Sequence, residues 1–264
     1  MSLAEKADRH DLYQRSVQGV EFELEFVQET FKALRGRWPH RLREDFCGTA
    51  LSACEWVKLN PAHSAVAVDI DAEVLAWGEA HNVAEMSVDE QQRIELLSAD
   101  VLTVETDRVD ICQALNFSYW LFQERAQMKA YFQRVHSCLK KDGLFFLDSF
   151  GGFEAHQTQE EVRELEGFTY IWQQAEYNPV TADMQCYIHF EFEDGSRLNQ
   201  AYAYRWRLWG AKEIRELLLE CGFSKTRIYL QAFDPETDEP LDEFVESERC
   251  EDVACWIAYL VAEK

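Results

Sequence analysis

The chain has 264 residues, of which 47% are hydrophobic, so it can bury the core of one substantial domain or of one domain with an insertion. Its 26 lysines and arginines stand against 49 aspartates and glutamates, and the formal net charge of −23 repels nucleic acid phosphates and anionic lipid surfaces. We therefore expect neither nucleic acid nor a membrane as a partner.

The first residues, the apolar runs and the cysteines indicate where in the cell the protein is expected. The first residues lack the apolar core of a signal peptide, and no apolar run is long enough to cross a bilayer. The eight cysteines include no C-x-x-C pair of the kind that binds zinc. We predict a cytoplasmic protein with reduced thiols and no metal site.

Residues 1–39 are predicted to form an N-terminal helical cap. From Asp11 to Arg37, apolar residues recur at spacings of three and four, which is typical of one amphipathic helix. Gly36 and Pro39 end this pattern. The polar arm around Tyr13 is interpreted either as a lid over a site or as a frayed terminus.

Strands and helices then alternate along the chain. We predict strands at 41–46, 64–69, 93–98, 109–115 and 143–148, and helices at 49–59, 72–86 and 124–139. This alternation favours an α/β fold with a doubly wound, Rossmann-like, mostly parallel sheet. Two further strands at 225–232 and 255–261, joined by an acidic loop, make the sheet seven-stranded.

Residues 153–208 have a different character. Aromatic-rich runs are separated by the turn signals Asn178-Pro179 and Asp194-Gly195, which predicts an inserted small antiparallel β subdomain, called the cover below. Residues 40–152 and 209–264 then form the α/β core. The acidic segment 234–252, with ten acids and one arginine, is interpreted as a solvated loop or as a surface for a partner.

Candidate ligand-binding residues follow the predicted parallel strands, because such sheets bind ligands beyond the carboxyl ends of their strands. Gly48 allows a ligand to approach the backbone closely, and Asp69, 21 residues later, is placed to accept hydrogen bonds from a ribose diol. Asp100, at the next strand end, is placed to receive the amino group of an adenine. Clustered carboxylates suit an adenosine group without phosphates.

The run from Glu44 to Ala50 resembles the first motif of the class I S-adenosylmethionine-dependent methyltransferases, an acid followed by G-x-G-x-G. Glu44 matches the acid that is expected to reach the cofactor's methionine ammonium, and Gly48 matches the central glycine. Phe46 and Ala50 stand in place of the outer glycines. Segments 65–71, 97–102, 116–118 and 139–148 resemble the later parts of the same family in the same order.

The resemblance implies S-adenosylmethionine as cofactor and S-adenosylhomocysteine as product. The implied cofactor contacts are Glu44, Phe46, Cys47, Gly48, Asp69, Ile70, Asp100, Val101, Asn116 and Phe117. The cover, followed by a helix ending in Cys-Gly-Phe, is similar to the small β subdomain of glycine and sugar-amine N-methyltransferases, which lies over the substrate. We therefore predict a methyltransferase for a small molecule, with an amine nitrogen preferred over oxygen or sulfur.

Residues on the acceptor side are chosen by their expected position near the cover. The candidate catalytic residues are Tyr13, Tyr119 and His156, and the candidate substrate-binding residues are Ser118, His189, Tyr204, Arg205 and Trp206. Aromatic faces suit a cationic acceptor, although these rings are equally suited to packing the cover against the core. His189 is also interpreted as a core residue, and Arg205 as the partner of a neighbouring acid.

Two other function classes remain open from the sequence. A nicotinamide-dependent enzyme would also use Gly48 and Asp69, but the missing glycines of G-x-G-x-x-G and the additional Asp100 disfavour it. A non-catalytic methyltransferase-like protein would use the acidic segment to bind a partner. The oligomeric state is also open, with a homodimer as one alternative.

Overall fold

The computed structural model describes residues 1–233, 240–251 and 253–264, and in this part of the chain twelve strands form two sheets. In chain order the strands are β1 (Arg41–Asp45), β2 (Ser64–Asp69), β3 (Ile94–Ser98), β4 (Val109–Ala114), β5 (Leu139–Gly151), β6 (Gln159–Leu165), β7 (Phe168–Tyr177), β8 (Asp183–Glu191), β9 (Arg197–Arg207), β10 (Lys225–Phe233), β11 (Pro240–Glu246) and β12 (Trp256–Glu263). The large sheet has the order β11-β10-β12-β5-β4-β1-β2-β3, and β6 to β9 form the small one.

The large sheet is parallel from β3 through β2, β1 and β4 to β5, and antiparallel from β5 through β12 and β10 to β11. The small sheet is an antiparallel meander in which each strand pairs with the next. The predicted fold class is therefore confirmed. The carboxyl ends of the five parallel strands lie along one edge, which is where ligands bind in such sheets.

Helices lie on both faces of the large sheet. In chain order the α-helices are α1 (Leu3–Lys6), α2 (Arg9–Val17), α3 (Val20–Arg35), α4 (Leu51–Leu59), α5 (Ala72–Gly78), α6 (Val88–Gln91), α7 (Arg125–Cys138) and α8 (Ala211–Glu220). One face packs against α3 and α4, and the other against α7 and α8. All six residues of β4 are consequently buried, including the polar Asp110 and Gln113.

The cover has its own small core, in which Phe190 and Ile188 of β8 pack with Tyr170 of β7. Leu12 of α2 joins the same cluster, so the N-terminal arm lies against the cover. The described helices include none that is both long and apolar enough to cross a membrane.

Three sequence predictions of local structure are wrong in detail. The predicted helix from Asp11 to Arg37 is two helices, since Gly19 takes a non-helical conformation between α2 and α3. The large sheet has eight strands, because β11 forms where an acidic loop was expected and pairs with β10. The cover gains β6, a strand with mostly exposed residues and no apolar face to reveal it. Residues 234–239 and 252 of the acidic segment lie outside the described residues.

Candidate active site

The loop after β1 adopts an unusual backbone. Phe46, Gly48 and Ala50 all have positive φ angles, of 58°, 53° and 56°. A left-handed conformation costs a non-glycine residue about 1–2 kcal/mol, so packing must compensate at two of these positions. Ala50 is fully buried, and the Phe46 ring packs on Tyr131 with ring centroids 5.4 Å apart. Phe and Ala therefore take the backbone conformation for which glycine is the usual choice.

Asp69, at the end of β2, holds this loop. Its carboxylate accepts a hydrogen bond from the Gly48 N–H at 2.8 Å and another from the Asp71 N–H at 2.9 Å. The backbone N–H of Cys47 donates to Val68 O at 3.0 Å, which continues the β1–β2 pairing into the loop. Each carboxylate oxygen has a second lone pair, and Asp69 is only half-buried. It can therefore hold the loop and accept bonds from a ligand at the same time.

Thr49 makes three contacts that could not be predicted from the sequence: two hydrogen bonds and one close approach of a helix. Asn82 donates to the Thr49 carbonyl oxygen at 2.8 Å, and Gln14 of α2 donates to its hydroxyl at 2.6 Å. At Gly78, a Cβ atom would lie 2.3 Å from the Thr49 oxygen, so only glycine lets α5 approach this closely. The only feature of the sequence that indicated this close packing is Gly78, a glycine inside a helical pattern.

Glu44 is a buried carboxyl group, 7% exposed. It accepts a hydrogen bond from the Ala53 N–H at 2.9 Å, and so caps the first turn of α4, whose own N-cap residue, Ala50, has no side-chain acceptor. Burial raises the pKa of Glu44 to about 8, and the nearby carboxylates of Glu23 and Asp69 raise it further. The environment lacks a neutralising cation and therefore suits a cationic ligand.

The third predicted strand-end acid, Asp100, is half-buried and accepts the Leu102 N–H at 2.8 Å through one oxygen, Oδ1. Its other oxygen has no hydrogen bond to the described residues and is left for a ligand donor. Val101 beside it is buried, whereas the side chain of Ile70 is 73% exposed. The acids at the ends of β1, β2 and β3 thus fit an adenosine group linked to an ammonium.

A cavity of about 340 Å³ lies between this edge of the large sheet and the cover. Its aromatic lining residues are Tyr13, Phe117, Phe150, Tyr170, Trp172, Tyr204, Trp206 and Tyr259. They come from α2, from the loop after β4, from β5 and β12, and from β7 and β9 of the cover. A cavity of this size can hold a small-molecule ligand.

Two carboxyl groups on the core wall of this cavity were not among the predicted site residues. Asp148 of β5 accepts hydrogen bonds from the N–H groups of Asn116 and Phe117 at 2.7 and 2.8 Å, and burial raises its pKa to about 7. Glu23 of α3 lines the same wall, and its carboxyl group has no hydrogen bond or ion pair with any described residue. Burial, with a smaller effect from Asp148, raises the pKa of Glu23 to about 8.

Five of the predicted residues contribute to the cavity wall. They are Tyr13, Asn116, Phe117, Tyr204 and Trp206. Asn116 and Phe117 both have positive φ angles, of 56° and 55°, and Asp148 holds this strained turn. Burial raises the pKa of both Tyr13 and Tyr204, so these hydroxyl groups stay protonated at neutral pH.

The other five predicted acceptor-side residues do not line the cavity. Tyr119 is fully buried and donates to the backbone oxygen of Asp148 at 2.7 Å, and Ser118 donates to Leu115 O at 2.8 Å. These hydroxyl groups stabilise the turn after β4.

His156 and Arg205 are exposed, and His189 is buried inside the cover. His189 Nδ1 accepts the Gln200 N–H at 3.1 Å, while Nε2 lies 3.2 Å from Gln173 Oε1, so both ring nitrogens are used within the cover. Among the described residues, no group of three or more His, Cys, Asp or Glu side chains is arranged to hold a metal ion.

A family model described as a methyltransferase domain matches residues 45–147. This segment runs from the end of β1 to β5 and contains Gly48, Asp69 and Asp100. A search of curated protein sequences gives no significant match.

Solved structures with the same fold cover nearly the whole chain. An S-adenosylmethionine-dependent methyltransferase from Clostridium acetobutylicum ATCC 824 is 17% identical, covers 96% of each chain and has a TM-score of 0.67. The CcbJ methyltransferase from Streptomyces caelestis is 12% identical, with 95% of this chain and 94% of that chain covered and a TM-score of 0.68. An amino pentose methyltransferase from Micromonospora echinaspora, with bound S-adenosylmethionine, is 13% identical, covers 95% of each chain and has a TM-score of 0.64.

The matched domain and the shared fold agree with the motifs read from the sequence. Residues 45–147 match a methyltransferase domain, and the whole chain has the fold of S-adenosylmethionine-dependent methyltransferases, which supports an enzyme that uses this cofactor.

Proposed function

We propose that this enzyme methylates an amine nitrogen of a small molecule bound in the cavity between the core and the cover. The observation that carries the proposal is the charge of the cavity. Glu23 and Asp148 lie on its core wall, and Arg163, the only Lys or Arg among its described lining residues, is paired with Glu161 at 3.3 Å. Two raised-pKa carboxyls among aromatic rings favour a cationic acceptor.

The cofactor side rests on the strand-end acids. Glu44 is proposed to face the cofactor's ammonium, Asp69 its ribose and Asp100 its adenine. When bound, S-adenosylmethionine supplies a methyl group on a positively charged sulfur. The neighbouring carboxyls Glu44 and Glu23 stabilise such a cation, and the aromatic walls exclude water from the reacting atoms.

Glu23 is the group proposed to receive a proton from the acceptor. An ammonium has no lone pair for attack, so it must first lose a proton to a base within hydrogen-bond reach. The Asp148 carboxylate is engaged by two backbone N–H groups, and Tyr13 and Tyr204 stay protonated. Glu23 has free oxygens, and its pKa of about 8 is close to the working pH of an acid–base group.

The solved structures that share this fold support an amine acceptor, because they include an amino pentose methyltransferase and a sugar N-methyltransferase. An aliphatic alcohol would need a much stronger base or a metal ion to lose its proton. The described cavity wall contains carboxyls as its bases, and these match ammonium groups better than alcohols.

The first test is transfer of a labelled methyl group from S-adenosylmethionine to matched pairs of small amines and alcohols. We expect product with amines, and a fall of roughly 10²-fold or more in kcat for Glu23→Gln, because a positioned base contributes about 10²–10⁴-fold. The wild-type rate should rise with pH through the ionisation of Glu23, and this ionisation should be missing from the Glu23→Gln profile.

Glu21→Gln is the matched control, because Glu21 is exposed on the same helix and should leave the rate unchanged. Asp69→Ala should weaken cofactor binding in calorimetry. Methylation of alcohols without amines, or full activity of Glu23→Gln, contradicts the proposal.

A further inference from the structure

Gln174 of β7 lines the cavity from the cover side and is only 3% exposed. Its amide nitrogen points to the backbone oxygens of Glu154 and Gln157, at 3.3 and 3.4 Å. Its amide oxygen accepts no hydrogen bond from any described residue. This orientation of the amide is required, because the two carbonyl oxygens can only accept hydrogen bonds.

A buried amide oxygen without a partner is unfavourable, and native proteins contain few of them. Such a group is expected where a ligand completes the hydrogen bonding. The cavity is the open space next to Gln174, since its strand neighbour Trp172 and its register partner Gln159 on β6 line the same cavity.

Gln174 and Glu23 belong to opposite walls. Glu23 stands on α3 with the core, beside the turn held by Asp148, whereas Gln174 stands on the cover. Trp172 and Trp206 line the same cavity, with ring centroids 5.7 Å apart. A ligand that fills the cavity therefore meets a carboxyl on the core wall, aromatic faces, and an unpaired hydrogen-bond acceptor on the cover.

We propose that Gln174 is a specificity-determining residue, whose amide oxygen accepts a hydrogen bond from a hydroxyl or N–H group that the acceptor carries in addition to its reacting amine. The substrate class is then a small amine with a second hydrogen-bond donor. This inference rests on the proposed function, because it takes the amine at Glu23 as the reacting group.

The test compares methyl transfer to cyclohexylamine and to 2-, 3- and 4-aminocyclohexanol, which place a hydroxyl group at three distances from the same amine. The wild-type enzyme should favour the best of the three amino alcohols over cyclohexylamine by about tenfold in kcat/KM, the effect of one neutral hydrogen bond. Gln174→Met, which keeps the length and removes the acceptor, should abolish this preference while still methylating cyclohexylamine.

Gln173→Met is the matched control, since Gln173 is the next residue on β7, points to the other face and bonds to Glu160. It should keep the preference. Thermal unfolding gives a second readout. Gln174→Met should unfold within about 5 °C of the wild type, because removal of the unpaired buried oxygen offsets the loss of the two long hydrogen bonds that the amide nitrogen donates to Glu154 O and Gln157 O.

The outcomes separate the two proposals. If the wild type methylates none of the four amines, the proposed function fails and the role of Gln174 fails with it. If it methylates them without preference, or if Gln174→Met keeps the preference, the role of Gln174 alone is overturned. A fall of more than about 5 °C in the unfolding temperature of Gln174→Met would mark the residue as structural and would also overturn it.

Discussion

Two loops at the ligand-binding edge are built alike and differ in how they are held. The loop after β1 and the loop after β4 each contain two non-glycine residues with positive φ angles, Phe46 and Ala50 in the first, Asn116 and Phe117 in the second. In each case an acid at the end of the neighbouring strand accepts backbone N–H groups of the loop. Asp69 is half-buried when it does so, whereas Asp148 is 7% exposed.

The difference in exposure between Asp69 and Asp148 indicates two different roles for a carboxylate that holds a loop. Asp69 keeps accessible lone pairs and can bind a ligand while it holds its loop. Both oxygens of Asp148 are engaged by the loop, so Asp148 positions Asn116 and Phe117 at the cavity, in keeping with the proposal that Glu23 takes the proton. The same residue type thus keeps lone pairs open for a ligand in one loop and only holds the backbone in the other.

The strongest test of this difference is to remove each carboxylate. Asp148→Ala leaves two buried N–H groups in a strained turn without partners, and should lower the free energy of unfolding by about 3 kcal/mol. Asp69→Ala should lower it by about 1 kcal/mol, since water can reach the freed N–H groups. Urea unfolding of both variants measures the two values, and equal losses would contradict the comparison.

The raised pKa values around the second loop predict an unusual pH dependence. Glu23 has a pKa of about 8 in the folded protein, above its value of 4.5 in a flexible chain. The folded state therefore binds this proton more tightly, and the stability it provides is complete in acid and is lost as the pH rises towards 8.

Glu23→Gln should remove this contribution to the pH dependence of the free energy of unfolding. Between pH 5.5 and 7.5, the free energy of unfolding of the wild type should fall relative to the variant by about 1 kcal/mol per pH unit. Urea unfolding of the ligand-free proteins at several pH values provides the measurement, with Glu21→Gln as the control. Parallel curves for wild type and Glu23→Gln would show that Glu23 is not held in a desolvated site.

The smallest change in stability is expected for a substitution of Gly48, the single glycine of the loop after β1. Gly48 has a φ of 53°, and a Cβ atom there would meet nothing within 4 Å, so Gly48→Ala should cost only the conformational strain of about 1 kcal/mol. Gly210→Ala is the control, because Gly210 has ordinary extended angles and no clash. Thermal unfolding can compare them, and an equal effect of both changes would show that the left-handed conformation at Gly48 carries no cost.

The alternation of strands and helices and the acids at strand ends could be predicted from the sequence, because buried parallel strands produce apolar runs and their ends are marked by polar residues. Asp69 and Asp100 were predicted in this way, and Glu44 from the resemblance of the first loop to a methyltransferase motif. Glu23 could not be found, since it is one of several acids on an amphipathic helix. Only the packing of α3 beside Asp148 and Tyr259 sets it apart from the exposed Glu21.

Two further features could not be predicted from the sequence, each for a physical reason. The strand β11 is rich in acids, which have low strand propensity, and it exists because β10 offers a free edge for pairing. The unpaired oxygen of Gln174 depends on which neighbours surround one amide, and local sequence does not determine this.

The eighth strand also affects how copies of the protein meet one another. An open edge of a sheet can pair with the edge of a second molecule, and proteins avoid this with charged side chains on their outermost strand. The outermost strand at this end of the large sheet is β11, which displays exposed Glu243 and Glu246. Glu246 is paired with Arg227 and Glu243 remains, so the like charges of two such edges disfavour edge-to-edge pairing through β11.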